Sequence, residues 1–153
     1  MRIQADQGYG LRCLRVLARR TPGTVLTARE LAESESISVP HAAKLLRRLR
    51  QGGFLESTRG QRGGFRLARA PAAMTVRAVV EALGERLDDC CRSDRFHGRA
   101  GRCPHAGECS LRPLFAGAGR LVAEFLDRFT LADLCGAEST LARRAGEEAP
   151  HDA

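Results

Sequence analysis

Tryptophan is absent, tyrosine occurs once and phenylalanine six times among 153 residues. A core with so few rings has to be assembled from aliphatic side chains on helical faces. No apolar run approaches the roughly 18 residues of a membrane-spanning helix. The opening MRIQADQGYG also lacks the apolar stretch of a secretory signal, so the expected location is cytoplasmic. Nor is there a Ser/His/Asp order, a phosphate-cradling glycine loop or a dinucleotide fingerprint. Cysteine beside histidine could in principle form a nucleophile pair, but the strand framework that would fix such a pair is missing around it. The expected protein is therefore not an enzyme.

What is present is charge, unevenly spread. Residues 1–70 carry fourteen Lys and Arg against five Asp and Glu, whereas residues 71–153 carry eleven against thirteen. The excess is densest from Lys44 to Arg69, where eight basic residues face only Glu56. Charge alone would also fit a solvated face made for solubility. A basic half joined to a near-neutral half is, however, the footprint of a nucleic-acid reader with a separate sensing or dimerising part.

The apolar pattern gives that charge a scaffold. In residues 8–20, Leu11, Leu14, Val16, Leu17 and Ala18 form a broad helical face that stops at Thr21-Pro22-Gly23. Cys13 lies among them and is expected to pack rather than to ligate. Thr27 and Glu30 fit a capping box that opens a short helix through Leu31 and Ala32. A second helix starts at Ser38 as N-cap, tolerates Pro40 in its first turn and places Ala42, Leu45, Leu46 and Leu49 on one face; Gly52-Gly53 closes it. A short helix, a tight turn and a second helix with a basic outer face make a helix-turn-helix. Phe54-Leu55 and Phe65-x-Leu67 are then strand-like runs around STRGQRGG, the wing of a winged helix-turn-helix. DNA contacts are expected from Ser38, His41, Lys44 and Arg48 on the recognition helix. Arg59 and Arg62 in the wing can reach phosphates or a narrow minor groove.

Thr75 is placed to cap a further helix carrying Val76, Val79, Val80 and Leu83, which Gly84 ends. The longest pattern runs from Leu111 through Leu114, Phe115, Ala118, Leu121, Val122, Phe125 and Leu126 to Phe129. It spans about five turns, on the order of 27–30 Å. A domain this small has little to cover such a stripe, which predicts a symmetric partner helix and hence a homodimer. The polar end, residues 136–153, is expected to be disordered.

Four of the six cysteines and two of the four histidines fall between Cys90 and Cys109, in CCRSDRFHGRAGRCPHAGEC. In a reducing compartment such clustering favours metal binding or redox chemistry over structural disulfides. Thiolates gathered in a glycine-containing loop suit an iron–sulfur cluster. Zinc held by Cys103, Cys109, another cysteine and His97 or His105 would use the same residues. So would a metal-free thiol switch at Cys90-Cys91.

Together these residues resemble the Rrf2 family of bacterial winged helix-turn-helix transcriptional regulators (IscR/NsrR/RirA-like). The likeness runs from Met1 to about Cys135. It rests on the Met-Arg-Ile opening with Tyr9, on Leu31-Ala32, Ile37-Ser38, the Leu45–Leu49 helix and Gly53, on RGQRGGFRLAR from Arg59 to Arg69, and on the closing FTLADL from Phe129 to Leu134. The resemblance implies a homodimeric repressor on a palindromic double-stranded DNA operator, with a 2Fe–2S or 4Fe–4S cluster held by three cysteines after the fourth helix. Cys103-x5-Cys109 matches the second and third of these; the first is Cys90 or Cys91, across a gap longer than the family's usual one. Where several relatives take a ligand from the partner subunit this chain has Gly8, which cannot ligate, and the position of the IscR-like histidine holds Arg112. Asp6, His97 and His105 are the candidates for the fourth ligand.

The expected architecture is therefore mainly α with a small β-wing. Residues 1–73 would form the winged helix-turn-helix and residues 74–135 a cysteine-loop sensor with a long C-terminal dimerisation helix. The expected function is DNA-binding regulation controlled by a cluster that senses nitric oxide, redox state or iron–sulfur status.

Overall fold

Hydroxyl caps set three of the helix starts. Thr27 Oγ1 accepts the Glu30 N–H at 3.2 Å while the Glu30 carboxylate accepts the Thr27 N–H at 2.7 Å. Ser38 Oγ accepts the His41 N–H at 3.3 Å, and Thr75 Oγ1 accepts the Ala78 N–H at 3.2 Å. Each satisfies an amide that the first helical turn leaves without a partner. The structure, a computed structural model, describes residues 4–58, 60, 63–84 and 109–146. In chain order it contains α1 (Ala5–Ala18), α2 (Ala28–Ser34), α3 (Val39–Gln51), β1 (Leu55–Thr58), β2 (Gly64–Leu67), α4 (Val76–Leu83), α5 (Leu111–Asp127) and α6 (Glu138–Ala145). Single 3-10 turns lie at Pro71–Ala73 and Asp133–Cys135. No helix among the described residues is long and apolar enough to cross a membrane.

The core is aliphatic, as the shortage of rings requires. Ala42, Leu45, Leu46 and Leu49 of α3 pack against Cys13, Leu14 and Leu17 of α1 and against Leu31 and Ala32 of α2. Met74, Val79, Leu83 and Leu131 belong to the same cluster. Val76, Val80, Ala123 and Phe129 form a second, smaller one where α5 meets α4. The α1–α4 contact is close because residue 10 has no side chain: a Cβ at Gly10 would lie 2.0 Å from Cδ1 of the fully buried Leu83. Beside it the buried Gln7 donates from Nε2 to the Val80 carbonyl at 3.1 Å.

After α3, Gly53 adopts a left-handed φ of 74° and turns the chain into β1. The two strands pair antiparallel with Leu55 opposite Leu67 and Glu56 opposite Arg66. A cross-strand ion pair closes the latter at 2.8 Å. Leu26, in the connection between α1 and α2, adds a bridge to Phe65 through N–O distances of 3.0 and 2.8 Å. The wing base is thus fastened to the body of the domain.

Beyond α5 the chain returns to α4. The Val76 amide donates to the Phe129 carbonyl at 2.9 Å and the Leu131 amide to the Met74 carbonyl at 2.8 Å. The expectation of disorder from residue 136 onward is corrected over Glu138–Ala145, which form α6. Leu141 and Ala145 pack on the second cluster, and Gly146 ends the helix in a left-handed conformation. Arg144 pairs with Asp133, donates to the Arg128 carbonyl at 3.0 Å and lies 5.3 Å from the Phe129 ring centre. Cation and ring contacts hold α6 where its sequence offers few apolar residues.

Candidate nucleic-acid interface

With one face of α3 buried, its period of 3.6 residues per turn leaves Pro40, Ala43, Lys44, Arg47 and Gln51 as the outward stripe, all exposed. Arg50 flanks this stripe on the wing side, where Nη1 donates to Ser57 Oγ at 3.4 Å. His41 and Arg48 flank it on the α1 side. Arg47 and Arg50 were not among the residues the sequence singled out, although the periodicity that buries Leu45 and Leu49 already places Arg47 opposite them.

Three of the four expected recognition-helix residues converge on one carboxylate. Asp6 Oδ1 lies 2.9 Å from His41 Nε2, while Asp6 Oδ2 lies 3.5 Å from Lys44 Nζ and 3.8 Å from Arg48 Nη1. The His41 ring also meets Tyr9 edge-on, with centroids 5.7 Å apart. His41 is therefore turned towards α1 rather than straight outward. Burial by itself would raise the Asp6 carboxyl, but the His41 hydrogen bond and the Lys44 charge outweigh it and hold the group below the usual carboxylate value. Asp6, a candidate fourth cluster ligand, here faces α3. Ser38 is exposed, and its hydroxyl oxygen is engaged as the helix cap. Arg59 and Arg62 lie outside the described residues. At the wing base, Arg66 is paired with Glu56 and Arg69 stacks 5.2 Å from the Phe54 ring centre.

Of the candidate thiolate ligands, Cys109 is described; Cys90, Cys91 and Cys103 lie outside the described residues, as do His97 and His105. Cys109 is a free, partly exposed thiol one residue ahead of the Ser110 cap of α5, and its carbonyl accepts the Arg112 amide at 3.2 Å. Cys13 is fully buried, and burial pushes its thiol up to about 11, which suits packing and not ligation. Cys135 is a third free thiol, partly exposed, with its carbonyl 3.5 Å from Arg19 Nη2. Among the described residues no three His, Cys, Asp or Glu gather to hold a metal. The donor chemistry at Cys109, a soft and accessible sulfur, fits thiolate-bound iron or zinc.

Behind this thiol, α5 turns an apolar stripe to solvent: Leu111, Leu114, Phe115, Leu121 and Phe125 are exposed, Leu121 at 70%. Only Gly119 and Ala123 of this helix are buried. An uncovered apolar stripe of this length marks an interaction face.

Known proteins share this fold. The Rrf2 family model, described as an iron-dependent transcriptional regulator, matches residues 3–137. The protein rrf2 of Nitratidesulfovibrio vulgaris is 30% identical over 151 residues, covering 99% of this chain and 98% of that protein. The HTH-type transcriptional regulator NsrR of Bacillus subtilis is 32% identical over 134 residues, covering 88% of this chain and 90% of its own. The solved structure of CymR, the global cysteine regulator of B. subtilis, superposes with a TM-score of 0.69 at 24% identity, covering 88% of this chain and 96% of that one. The fold is that of these winged-helix regulators, and the family's members are transcriptional regulators, not enzymes. With the match running across most of its length and the helix-turn-helix and wing in place, the chain belongs to the Rrf2 family of transcriptional regulators.

Proposed function

We propose that this chain is a cytoplasmic, homodimeric DNA-binding repressor. Its hold on a palindromic operator would be set by an iron–sulfur cluster that senses nitric oxide, redox state or iron–sulfur status. The observation that carries the DNA-binding reading is the outward stripe of α3, which presents Lys44 and Arg47 to solvent while the opposite face anchors in the core. Lys44, Arg47 and Arg48 would bind phosphates, which fix affinity and register. Ser38 and His41, at the N-terminal end of the recognition helix, would meet base edges. Arg59 and Arg62 would extend the contact from the wing.

Two α5 stripes packed together would cover the exposed leucines and set the separation of the two α3 helices, which must be near 34 Å for adjacent major grooves. Residues 1–73 would then be the DNA-binding part and residues 74–135 the sensing and dimerising part. Cys103, Cys109 and either Cys90 or Cys91 would hold the cluster, with Asp6, His97 or His105 as fourth ligand. A bound cluster supplies a thiolate-ligated iron centre open to oxidants and nitric oxide. Cys109 lies two residues before α5, so a cluster held there would act on the start of the helix that would pair the two subunits. A metal-free thiol switch, or a zinc form, would use the same cysteines, and the free, partly exposed Cys109 thiol suits either.

Iron and acid-labile sulfide per chain, measured with an absorption spectrum on protein purified without oxygen, test the cluster. Matched iron and sulfide with visible charge-transfer bands support it. Colourless protein that stays metal-free after anaerobic reconstitution would leave the thiol switch, and zinc in its place a closed structural site. Duplex binding before and after cluster removal then tests the regulation.

A further inference from the structure

Asp6 is the one acidic residue before Glu30 in a strongly basic half of the chain. It sits on the first turn of α1, yet its carboxylate contacts residues that lie 35 and 38 positions away on α3. His41 Nε2, Lys44 Nζ and Arg48 Nη1 stand at 2.9, 3.5 and 3.8 Å from its two oxygens. The cluster is open to solvent, since the side chains of Asp6, His41, Arg48 and Lys44 retain 24%, 32%, 34% and 66% exposure. It borders the outward stripe of α3. An anion that accepts from an imidazole and faces two cations is a chemical stand-in for a DNA phosphate.

Resting on the DNA-binding reading above, we propose that Asp6 is an internal competitor for DNA phosphate that suppresses nonspecific binding and thereby sharpens the specificity of α3. Phosphate electrostatics supply essentially all of nonspecific affinity. In the free protein, Lys44 and Arg48 already direct part of their charge at Asp6. A duplex that offers only phosphates has to displace that carboxylate and leave it beside the DNA's own negative charge. A duplex that also satisfies base contacts gains enough to draw the side chains away. Specificity is the difference between these two affinities, and a repulsive element that penalises the wrong partner enlarges it. The competing possibility is that Asp6 merely pins the start of α3 to α1.

Asp6→Asn separates the two, because the amide oxygen still accepts from His41 while the charge is gone. Fluorescence anisotropy on the full chain, at matched iron content so that lost ligation by Asp6 is not read as changed DNA affinity, would compare the unaltered protein, Asp6→Asn, the pair Lys44→Gln with Arg48→Gln, and all three changes together. Each would be titrated over a series of salt concentrations against a mixed-sequence duplex and against the tightest duplex that the unaltered protein selects from a random library. At about 0.1 M salt, Asp6→Asn is expected to bind the mixed-sequence duplex roughly three- to tenfold more tightly, with the salt dependence steeper by about one counterion. The selected duplex gains less, so the ratio between the two shrinks, and the gain vanishes when Lys44 and Arg48 are already neutral. Unchanged nonspecific affinity and slope would overturn the inference. So would weaker binding to both duplexes with a lowered melting temperature, the signature of a structural pin. Both results leave the DNA-binding reading standing; if the unaltered protein binds neither duplex, that reading falls and takes the inference with it.

Discussion

The backbone amide of Leu131 donates to the carbonyl of Met74 at 2.8 Å, so the residue that closes the excursion through α5 lies against the residue just ahead of the α4 cap. Leu131 is 1% exposed and packs in the same cluster as Cys13, Leu45 and Leu83. The long helix is therefore tied at its far end into the core that supports α3.

Leu131→Ala should destabilise the DNA-binding end along with the C-terminal end. Removing a fully buried leucine side chain costs about 2–5 kcal/mol. Urea unfolding followed by circular dichroism is expected to show one transition at a lower midpoint. A two-step curve in which most of the helix signal keeps its original midpoint would show that the two ends are independent.

Arg47→Ala should weaken DNA binding by a similar factor for every sequence and lower the salt slope by about one, as expected for a phosphate contact. Ser38→Ala is expected to act differently. It removes the N-cap of α3, at about 1 kcal/mol of stability, and changes which duplexes are preferred. Binding titrations against a panel of duplexes distinguish the uniform loss from the selective one.

Thiol alkylation should divide the described cysteines. Cys109 and Cys135 are partly exposed, and native protein free of metal is expected to be modified at both by iodoacetamide at neutral pH. Cys13 should stay unmodified until global unfolding, since it is fully buried and its thiol is pushed up to about 11. Peptide mass spectrometry reads the three sites; early labelling of Cys13 would mean that α1 opens on its own.

The C-terminal return should loosen in acid. Thr130 donates from both its amide and its hydroxyl to Asp133 Oδ2, each at 2.8 Å, and Arg144 pairs with the other oxygen. The Thr130 amide first, and then its hydroxyl and Arg144, hold the Asp133 carboxyl below its usual value in spite of some desolvation. A carboxyl lowered by folding stabilises fully above its unfolded value of about 3.9 and loses that contribution as the pH falls through the folded value. Amide exchange in α6 and residues 130–134 is expected to quicken below about pH 4 while the α1–α3 amides stay protected. Asp133→Asn should bring the same change at neutral pH.

Much of this architecture was legible in the sequence because it rests on local rules. Thr27 with Glu30, Ser38 and Thr75 announce helix starts through their own hydroxyls, and the spacing of Ala42, Leu45, Leu46 and Leu49 fixes which face of α3 is buried. The same period places Arg47 on the outward face, whereas its neighbour Arg48 lies on the α1 flank beside Asp6. α6 was missed because Glu138–Ala145 offers little apolar pattern; its anchors are Arg144 contacts that reach across to Asp133 and Phe129. The Asp6 cluster was invisible for a related reason. It joins residues 35 to 42 positions apart, and composition and periodicity carry no record of which distant charge a carboxylate will meet.

Most surface loops accept extra residues at small cost. The stretch from Thr21 to Leu26 is expected not to, because its last residue is also hydrogen-bonded to the wing through Phe65. One residue inserted directly beside Leu26 is expected to strain that bridge or shift its register, and a shift by one turns successive side chains to the opposite face. A graft or tag placed in the α1–α2 connection is therefore expected to unsettle a hairpin some forty positions further along the chain.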